Sequence, residues 1–427
     1  MEKKLKPIAH PLHGELIIPG DKSISHRAII LGSIAEGRTK INNFLSGEDC
    51  LRTIDIFRSF GVQIEQNDTD VVIQSQGVTA FTEPKEPLYF GNSGTTARLM
   101  IGLLAGLPFH TVVYGDPHLT ERPMDRVVLP LKEMGANIDG RKNGTLLPIA
   151  IRGKQLRGIN YTLPVKSAQV KSALLLAGLF AETTTQITEQ ALTRDHTENM
   201  LRAYGVPFEQ DGLTMKMNKQ SSFHAVNLTI PGDISSAAFF LTAGAIVPGS
   251  KLTLKQVGLN PTRTGIIEVL QKMGASIVCS NERTEHGEKL GDITITYQTL
   301  KATEIAGDLI PKMIDEIPVA ALIATQAEGS TVIKDAKELR VKETDRIKAV
   351  VEVLKTLGAN VEEREDGMVI HGKTDLTGGN LKSYSDHRMA MMGVIASFIT
   401  KEEVVIDDIS PISISYPDFF KHIEQIS

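Results

Sequence analysis

Five basic side chains lie in short motifs whose composition suits anion binding, and these residues are Lys22, Arg122, Lys342, Arg346 and Arg388. The first of them begins a predicted apolar helix in the motif GDKSISHR, where Ser23 and Arg27 share one helix face. Free backbone N–H groups and the dipole at a helix N-terminus favour an anion. Asp21 separates Gly20 from Lys22, so the motif is not a Walker A loop. It predicts an anion site of another kind.

Two further motifs place basic residues close together. Arg122 and Arg126 flank Pro123 in a predicted turn, where they could clamp a carboxylate or phosphate through paired hydrogen bonds. A surface cluster of ion pairs would have the same composition, so this alternative stays open. Lys342 and Arg346 are four residues apart in a predicted helix, where like charges repel unless an anion bridges them. Acidic neighbours could also screen that repulsion, but the anion is the favoured interpretation.

Carboxylates accompany these basic residues in two places. Asp315 and Glu316 are predicted to lie inside a fifth apolar helix, and Asp386 precedes Arg388 at the start of a sixth. Charged groups are unusual at such positions, and burial shifts their pKa values as proton transfer requires. The sequence has no HExxH motif, no cluster of Cys and His and no EF-hand spacing, so we expect no metal and no cofactor.

A sequence repeat positions these motifs. An apolar pattern surrounds a glycine in five places, at Gly61, Gly135, Gly205, Gly274 and Gly358. Each copy predicts the end of an amphipathic helix, a glycine with positive φ and a strand that begins at once. Six apolar helices alternate with these copies and begin near Lys22, Asn92, Lys166, Asp233, Asp315 and Asp386. The 427 residues therefore divide into six units of roughly 71 residues.

The first and fourth copies separate the needs of the fold from those of a ligand. The motif IPGD occurs at residues 18–21 and again at 230–233, where it predicts a turn and the start of a helix. Lys22, His26 and Arg27 of the first copy are replaced by Ile, Ala and Phe in the fourth. The fourth copy keeps the fold without these charges, so the charges serve a ligand. The offset of about half the chain predicts two similar domains with a cleft between them.

The composition limits the class of protein. Contents of 41% hydrophobic and 23% charged residues are typical of a globular protein. The net charge of −5 provides no general basic field, so we expect neither a nucleic-acid partner nor a membrane partner. Two cysteines, Cys50 and Cys279, form no disulfide framework. No signal peptide or membrane span is predicted, and we expect a cytoplasmic protein.

Eight motifs span the chain in order: GDKSISHR, GNSGT, RPMDR, SAQVKSA, PGDISSA, IDEIP, RVKETDR and SDHRM. Together they resemble the 5-enolpyruvylshikimate-3-phosphate synthases of the enolpyruvyl transferase family, and RVKETDR and DHRM are highly specific. The resemblance implies an α/β (α+β) fold of two similar domains, each of three βαβαββ repeats in an inside-out α/β barrel. Residues 20–231 would form the lower domain, on the shikimate 3-phosphate side. Residues 1–19 and 232–427 would form the upper domain, with Asp315 and the motifs RVKETDR and DHR.

The resemblance also implies a reaction. The enolpyruvyl (carboxyvinyl) group of phosphoenolpyruvate would pass to the 5-hydroxyl of shikimate 3-phosphate, releasing phosphate, in the shikimate pathway to chorismate and aromatic amino acids. Asp315 would accept the hydroxyl proton, and Glu343, with Lys22 or another acid, would manage protonation of the vinyl carbon. Residues implied at shikimate 3-phosphate are Lys22, Ser23, Arg27, Ser167, Ala168, Gln169, Arg194, Asp315 and Lys342. Residues implied at phosphoenolpyruvate are Lys22, Gly94, Arg122, Gln169, Arg346 and Arg388.

The charges of these two substrates agree with the implied residues. A phosphate monoester carries nearly two negative charges at pH 7, so the two substrates together bring roughly −5. Cations on two domains would offset that charge only after the domains close, and closure would exclude water. We expect these small-molecule substrates to be the partners of a monomer.

Three departures from the common family pattern leave sensitivity to inhibitors open. Gly94 is retained, however, where insensitive family members often have Ala. Glu338 and Leu339 precede RVKETDR where many members have Asn and Trp. Ile414 stands where many have a substrate-contacting Lys, and Arg194 where many have Ser.

Two alternatives remain. A UDP-N-acetylglucosamine enolpyruvyl transferase would carry a Cys in the loop before the Arg-Pro motif, but Tyr114–Glu121 contains none. A non-catalytic protein that binds phosphorylated metabolites would gain nothing from Asp315 and Glu343, because carboxylates repel anions.

Overall fold

The computed structural model describes residues 1–220 and 222–427. In these residues the strands are β1 (Lys3–Leu5), β2 (His13–Ile17), β3 (Glu36–Asn42), β4 (Gln63–Asn67), β5 (Asp70–Gln76), β6 (Leu88–Tyr89), β7 (His110–Tyr114), β8 (Asn137–Gly140), β9 (Ile149–Arg152), β10 (Asn160–Thr162), β11 (Thr185–Thr188), β12 (Phe208–Asp211), β13 (Thr214–Met217), β14 (Leu228–Thr229), β15 (Lys251–Gly258), β16 (Ser276–Glu285), β17 (Glu288–Thr296), β18 (Leu300–Lys301), β19 (Glu304–Ile305), β20 (Ala327–Ile333), β21 (Asn360–Arg364), β22 (Gly367–Gly372), β23 (Gly379–Leu381) and β24 (Val404–Ile406). The helices are α1 (Lys22–Ile34), α2 (Glu48–Ser59), α3 (Gly94–Ala105), α4 (Pro117–Thr120), α5 (Asp125–Glu133), α6 (Arg141–Gly144), α7 (Ala168–Gly178), α8 (His196–Ala203), α9 (Ile234–Ile246), α10 (Gly265–Lys272), α11 (Leu309–Met313), α12 (Ile317–Ala324), α13 (Arg346–Thr356), α14 (His387–Ser397), α15 (Ile412–Ser415) and α16 (Phe419–Ile426). Short 3₁₀ helices cover Val78–Ala80 and Lys337–Val341.

The strands of the described residues form six small sheets, of which five share one strand order and the sixth is a shorter version of three strands. In the second repeat β6 pairs in parallel with β7, and β9 pairs antiparallel with both β7 and β8. The same arrangement recurs as β14-β3-β5-β4, β10-β11-β13-β12, β2-β15-β17-β16 and β18-β20-β22-β21. In the sixth sheet, β23 pairs in parallel with β24, and β1 pairs antiparallel with β24. This recurrence confirms the predicted six repeats.

The five repeat glycines end the outer helices as predicted. Gly61, Gly135, Gly205, Gly274 and Gly358 have φ angles of 87°, 92°, 72°, 82° and 85°. They follow the last residues of α2, α5, α8, α10 and α13, and a strand begins shortly after each. Only glycine adopts this left-handed conformation without steric cost, which explains its recurrence at this position.

Six apolar helices form the interiors of the repeats, namely α1, α3, α7, α9, α12 and α14. Every residue of α9 is buried, which fits its mostly small and apolar sequence. Close packing depends on glycine where α3 meets α7, since a Cβ at Gly102 would lie 2.3 Å from the carbonyl oxygen of Ala173. The IPGD motifs begin α1 and α9 as predicted: Asp21 and Asp233 cap the two helices.

The chain forms two compact units. The contiguous unit is Gly20–Ile230, and the discontinuous unit comprises Met1–Pro19 and Pro231–Ser427. Each unit contains three of the sheets and three of the apolar helices, packed into its own hydrophobic core. Among the described residues, no helix combines the length and the apolar character that crossing a membrane requires.

Two local predictions were wrong. Asp315 and Glu316 lie in a turn between α11 and α12, not inside a helix. The cause is Pro318, which is tolerated in the first turn of a helix but not in its interior. Lys342 also lies outside a helix, because Asp345 caps α13 by accepting a hydrogen bond from the backbone N–H of Lys348. The helical spacing assumed for Lys342 and Arg346 therefore does not apply.

Candidate active site

Helix α1 presents Lys22 beside an acidic side chain of α2. The helix begins at Lys22 because Asp21 accepts a hydrogen bond from the backbone N–H of Ile24 at 2.9 Å. The Nζ of Lys22 lies 2.5 Å from Oδ2 of Asp49, whose side chain is almost fully buried. This ion pair fixes the ammonium group at the helix N-terminus, where the sequence predicts an anion.

Arg27 joins three helices of the contiguous unit. Its Nε donates to Oγ1 of Thr197 in α8 at 2.7 Å, and its Nη2 donates to Oγ of Ser172 in α7 at 2.8 Å. Its Nη1 donates to the carbonyl oxygen of Ser23 at 2.9 Å, so Ser23 and Arg27 share a helix face as predicted. These contacts set the direction of a guanidinium group that is only 4% exposed.

His26 lies between the two cations of α1 and is completely buried. Its Nδ1 is 2.8 Å from Oγ1 of Thr53. Burial lowers the pKa of His26 well below its usual value, and the positive charges of Lys22 and Arg27 lower it further. The imidazole is therefore neutral near pH 7, and the positive charge of this motif belongs to its lysine and arginine.

The glycine loop, residues 91–94 at the start of α3, approaches two arginines. Ser93 caps α3 by accepting a hydrogen bond from the backbone N–H of Thr96 at 3.1 Å. A Cβ at Gly94 would lie 2.8 Å from Nη1 of Arg98 and 3.0 Å from Cζ of Arg122. Glycine thus allows this approach without displacing either guanidinium group, and the predicted Arg122 lies against the loop.

Arg98 connects this loop to the start of α7. Its Nη1 donates to Oε1 of Gln169 at 2.8 Å, and Nε2 of Gln169 donates to Oγ1 of Thr95 at 3.0 Å. Ser167 caps α7, and Ala168 is the first residue of that helix. The structure therefore brings the glycine loop and the first turn of α7 together, with donors and acceptors in fixed positions.

Arg194, the remaining predicted residue of the contiguous unit, is half-buried in the segment Glu189–Asp195. This segment connects β11 to α8 and contains neither helix nor strand. The course of such a segment depends on its side-chain contacts, because it lacks a regular backbone ladder.

In the discontinuous unit the buried guanidinium group of Arg346 donates hydrogen bonds to three carboxylates. Arg346 is 1% exposed, and its Nε donates to Oδ2 of Asp386 at 2.8 Å. Its Nη2 donates to Oε2 of Glu343 at 2.7 Å, and its Nη1 donates to Oδ1 of Asp315 at 3.2 Å. Burial alone would lower the pKa of Arg346, but these carboxylates outweigh burial and raise it. Arg346 therefore stays charged, and its hydrogen bonds fix both predicted catalytic carboxylates.

The other two predicted cations of this unit lie beside the same acidic groups. The Nζ of Lys342 is 3.7 Å from Oδ1 of Asp315. Asp386 caps α14, and its Oδ1 accepts a hydrogen bond from the backbone N–H of Arg388 at 2.9 Å. Asp386 therefore orients the start of α14 and the side chain of Arg346 together.

Sequence reasoning missed three residues that shape these clusters. Arg98 could have been found, because it is a lone charge on the buried helix α3, one turn after Gly94. Asp386 was grouped with the candidate proton-transfer carboxylates, whereas the structure shows it as a buried partner of Arg346. Asp49 gave no signal, because its pairing with Lys22 depends on how α1 and α2 pack.

Comparisons with known proteins cover almost the whole chain. The family model described as EPSP synthase (3-phosphoshikimate 1-carboxyvinyltransferase) matches residues 7–423. A 3-phosphoshikimate 1-carboxyvinyltransferase of Oceanobacillus iheyensis is 57% identical over 422 residues, which is 99% of this chain and 98% of the relative. The enzyme of that name from Bacillus subtilis is 54% identical over 417 residues, or 97% of each chain. A solved EPSP synthase structure from Acinetobacter baumannii has a TM-score of 0.90 at 42% identity, covering 100% of this chain and 98% of the other.

Proposed function

Because the chain belongs to the EPSP synthase family, we propose that it is a transferase of the shikimate pathway, which leads to chorismate and the aromatic amino acids. It transfers the carboxyvinyl group of phosphoenolpyruvate to the 5-hydroxyl of shikimate 3-phosphate and releases phosphate. The observation that carries the proposal is the pair of carboxylates, Asp315 and Glu343, held by one buried arginine. Proton transfer requires such groups, whereas anion binding alone does not.

The predicted lower domain, residues 20–231, is the proposed shikimate 3-phosphate side, and it coincides with the contiguous unit to within one residue. Lys22, Arg27 and Arg194 supply positive charge, and the first turn of α7 offers Ser167, Ala168 and Gln169. Support comes from the fixed direction of Arg27 and from the N-termini of α1 and α7, where the helix dipoles favour an anion.

Phosphoenolpyruvate is proposed to contact the glycine loop and arginines of both units. Gly94 and Arg122 lie close together in the contiguous unit, with Gln169 connected to the same loop. Arg346 and Arg388 belong to the discontinuous unit, where Asp386 fixes them. The expectation that substrates bring the two sets of residues together stays a prediction.

The chemistry assigned to the carboxylates balances in two steps. In the first step, Asp315 accepts the proton of the 5-hydroxyl, and the hydroxyl oxygen bonds to C2 of phosphoenolpyruvate. At the same time Glu343, with Lys22 or another acid, protonates C3. The C2–O bond to phosphate then breaks, and a proton leaves C3 to restore the double bond. Positive charge that develops at C2 is stabilised by nearby carboxylates. We assign Lys342 to a contact with both substrates, and its position beside Asp315 supports this assignment.

The decisive experiment measures phosphate release from phosphoenolpyruvate with shikimate 3-phosphate as the acceptor. Parallel reactions with UDP-N-acetylglucosamine test the sister activity, and reactions without an acceptor measure background hydrolysis. Release only with shikimate 3-phosphate is expected. Release only with the nucleotide sugar would favour the sister enzyme. Binding without any release would favour a non-catalytic binding protein.

The proposed enzyme is a cytoplasmic monomer whose partners are its two substrates. We expect no nucleic-acid partner, because the net charge of the chain is −5. Sedimentation should give a mass near 46.5 kDa with and without substrates. A mass that doubles at working concentration would contradict the monomer.

A further inference from the structure

A buried ion cluster lies in the contiguous unit, outside the residues assigned to the substrates. The Nζ of Lys171 is 2.9 Å from Oε2 of Glu189 and 2.6 Å from Oε1 of Glu198. All three side chains are buried, and Lys171 has no exposed surface. Burying charges costs about as much as their attraction returns, so such a cluster adds little stability. The cluster is therefore better explained by the positions in which it holds the surrounding residues than by a gain in stability.

The cluster ties the Arg194 segment to the body of the unit. Glu189 begins the segment Glu189–Asp195, and its Oε1 accepts a hydrogen bond from Oγ1 of Thr193, the residue before Arg194. Lys171 belongs to α7, so its ion pair with Glu189 anchors the segment to that helix. Thr193 and Glu189 are both buried, and this anchoring therefore holds two points of a segment that lacks regular structure.

The same cluster also supports Arg27. Lys171 is followed in α7 by Ser172, and Glu198 is preceded in α8 by Thr197. Ser172 and Thr197 are 2.7 Å apart and both accept hydrogen bonds from Arg27. The pairing of Lys171 with Glu198 thus holds α7 and α8 at the distance that this arrangement requires.

We propose that Lys171 is a positioning residue for shikimate 3-phosphate, acting through Glu189 and Glu198 on Arg194 and Arg27. The inference rests on the proposed function, because that function assigns the two arginines to this substrate. Lys171 does not touch the substrate, since its ammonium group is enclosed by the two carboxylates. Its removal should displace the arginines without removing their charges.

The first test replaces Lys171 with methionine, which has a similar length and no charge. In Lys171→Met the KM for shikimate 3-phosphate should rise about tenfold, because small displacements of binding groups have large effects. The KM for phosphoenolpyruvate should change by less than about twofold. Glu189→Gln keeps an acceptor for Thr193 while removing one charge, and it should give a smaller rise for the same substrate.

A control separates positioning from loss of stability. Ile151 is fully buried in β9, in a different sheet of the same unit, so Ile151→Ala should lower the melting temperature by leaving a cavity. Both KM values of Ile151→Ala should stay unchanged, because folded molecules bind normally. A rise in the KM for shikimate 3-phosphate in this control would overturn the assignment.

A double-mutant cycle with Arg194→Ala identifies the residue through which Lys171 acts. If Lys171 positions Arg194, Lys171→Met should raise the KM for shikimate 3-phosphate much less in the Arg194→Ala background than in the wild type. Equal fold-changes in both backgrounds would overturn the action on Arg194. Equal rises for both substrates, or no change in Lys171→Met, would overturn the whole proposal. If Lys171→Met does not fold, Glu189→Gln takes its place in the cycle.

Calorimetric binding of shikimate 3-phosphate alone distinguishes this proposal from the proposed function. A wild-type protein that binds this ligand but releases no phosphate would contradict the proposed transferase activity. The double-mutant cycle would then compare dissociation constants instead of KM values. A wild-type protein that neither binds nor converts it would contradict both. Normal turnover in the wild type with unchanged affinity in Lys171→Met would overturn only the role of Lys171.

Discussion

Several of the proposed site residues are held in position by buried partners, and Arg346 in the discontinuous unit is the clearest case. Arg346 makes hydrogen bonds to three carboxylates, so the predicted base and acid have fixed positions before a substrate arrives. A preorganised group of this kind does not have to be reordered during the reaction. Substitutions of Asp315 or Glu343, which are partly exposed, should therefore change rates more than stability.

Asp315→Asn tests the proposed base. An amide cannot accept the proton of the 5-hydroxyl, so kcat should fall by about 10²- to 10⁴-fold, while the KM values change little. Asp308→Asn is the matched control, because Asp308 is an exposed carboxylate at the start of the neighbouring α11. Steady-state rates should separate the two variants, and a kcat near the wild-type value in Asp315→Asn would rule out its role as the base.

Gly94→Ala tests the close approach of the glycine loop. The added methyl group would meet Arg98 at 2.8 Å and Arg122 at 3.0 Å, so these side chains must move. The KM for phosphoenolpyruvate should rise by about tenfold, and that for shikimate 3-phosphate by less. Gly106→Ala is the control, because a Cβ there meets Phe180 at an acceptable 3.4 Å. Equal effects of both variants would contradict the assignment of this loop.

His26 should make stability depend on pH. Its pKa is lowered in the folded state and lies near 6.5 in the unfolded chain, so the unfolded chain binds more protons between these values. Stability should therefore fall as the pH drops below 6.5, with a slope of up to about 1.4 kcal/mol per pH unit. Urea unfolding of His26→Asn should show a smaller slope than the wild type. The exposed His118→Asn is the control, and equal slopes in all three proteins would contradict the prediction.

At the scale of elements, the repeat glycines allow a test of backbone strain alone. Gly205 has a φ of 72°, and a Cβ there meets nothing within 4 Å. Gly205→Ala should lower the free energy of unfolding by about 1 kcal/mol, and Gly205→Asn by less, because Asn adopts this conformation more readily. Gly274→Ala, at the same position of another repeat, should match Gly205→Ala. Denaturant unfolding measures all three, and a stabilised Gly205→Ala would contradict the role of this glycine.

The sequence predicted the elements whose signals are local. Asp21 and the five glycines could be read directly, because helix capping and left-handed turns depend on one or two residues. Asp315 was placed inside a helix because the effect of Pro318 on the start of α12 was overlooked. The contacts of Asp49 and Lys171 could not be predicted, since they join residues of different elements after packing.

At the scale of the whole molecule, shikimate 3-phosphate should stabilise the protein. A ligand that binds only the folded state adds about 2.7 kcal/mol at a concentration of 100 times its Kd. The melting temperature should therefore rise with shikimate 3-phosphate and much less with shikimate, which lacks the phosphate. Differential scanning calorimetry provides the comparison. Equal shifts with both ligands would contradict a role for Lys22, Arg27 and Arg194 in binding the phosphate group.

The pairing of β1 with β24 has a consequence for synthesis on the ribosome. The contiguous unit is fully translated once Ile230 has been added to the chain, while 197 residues remain to be translated (427 minus 230). At roughly 5–20 residues per second this interval lasts roughly 10–40 s. Strand β1 stays unpaired for almost the whole interval, because its partner Val404–Ile406 is translated almost last. A ribosome that stalls before Val404 therefore presents one finished unit beside another with an unpaired strand edge, which is a template for aggregation.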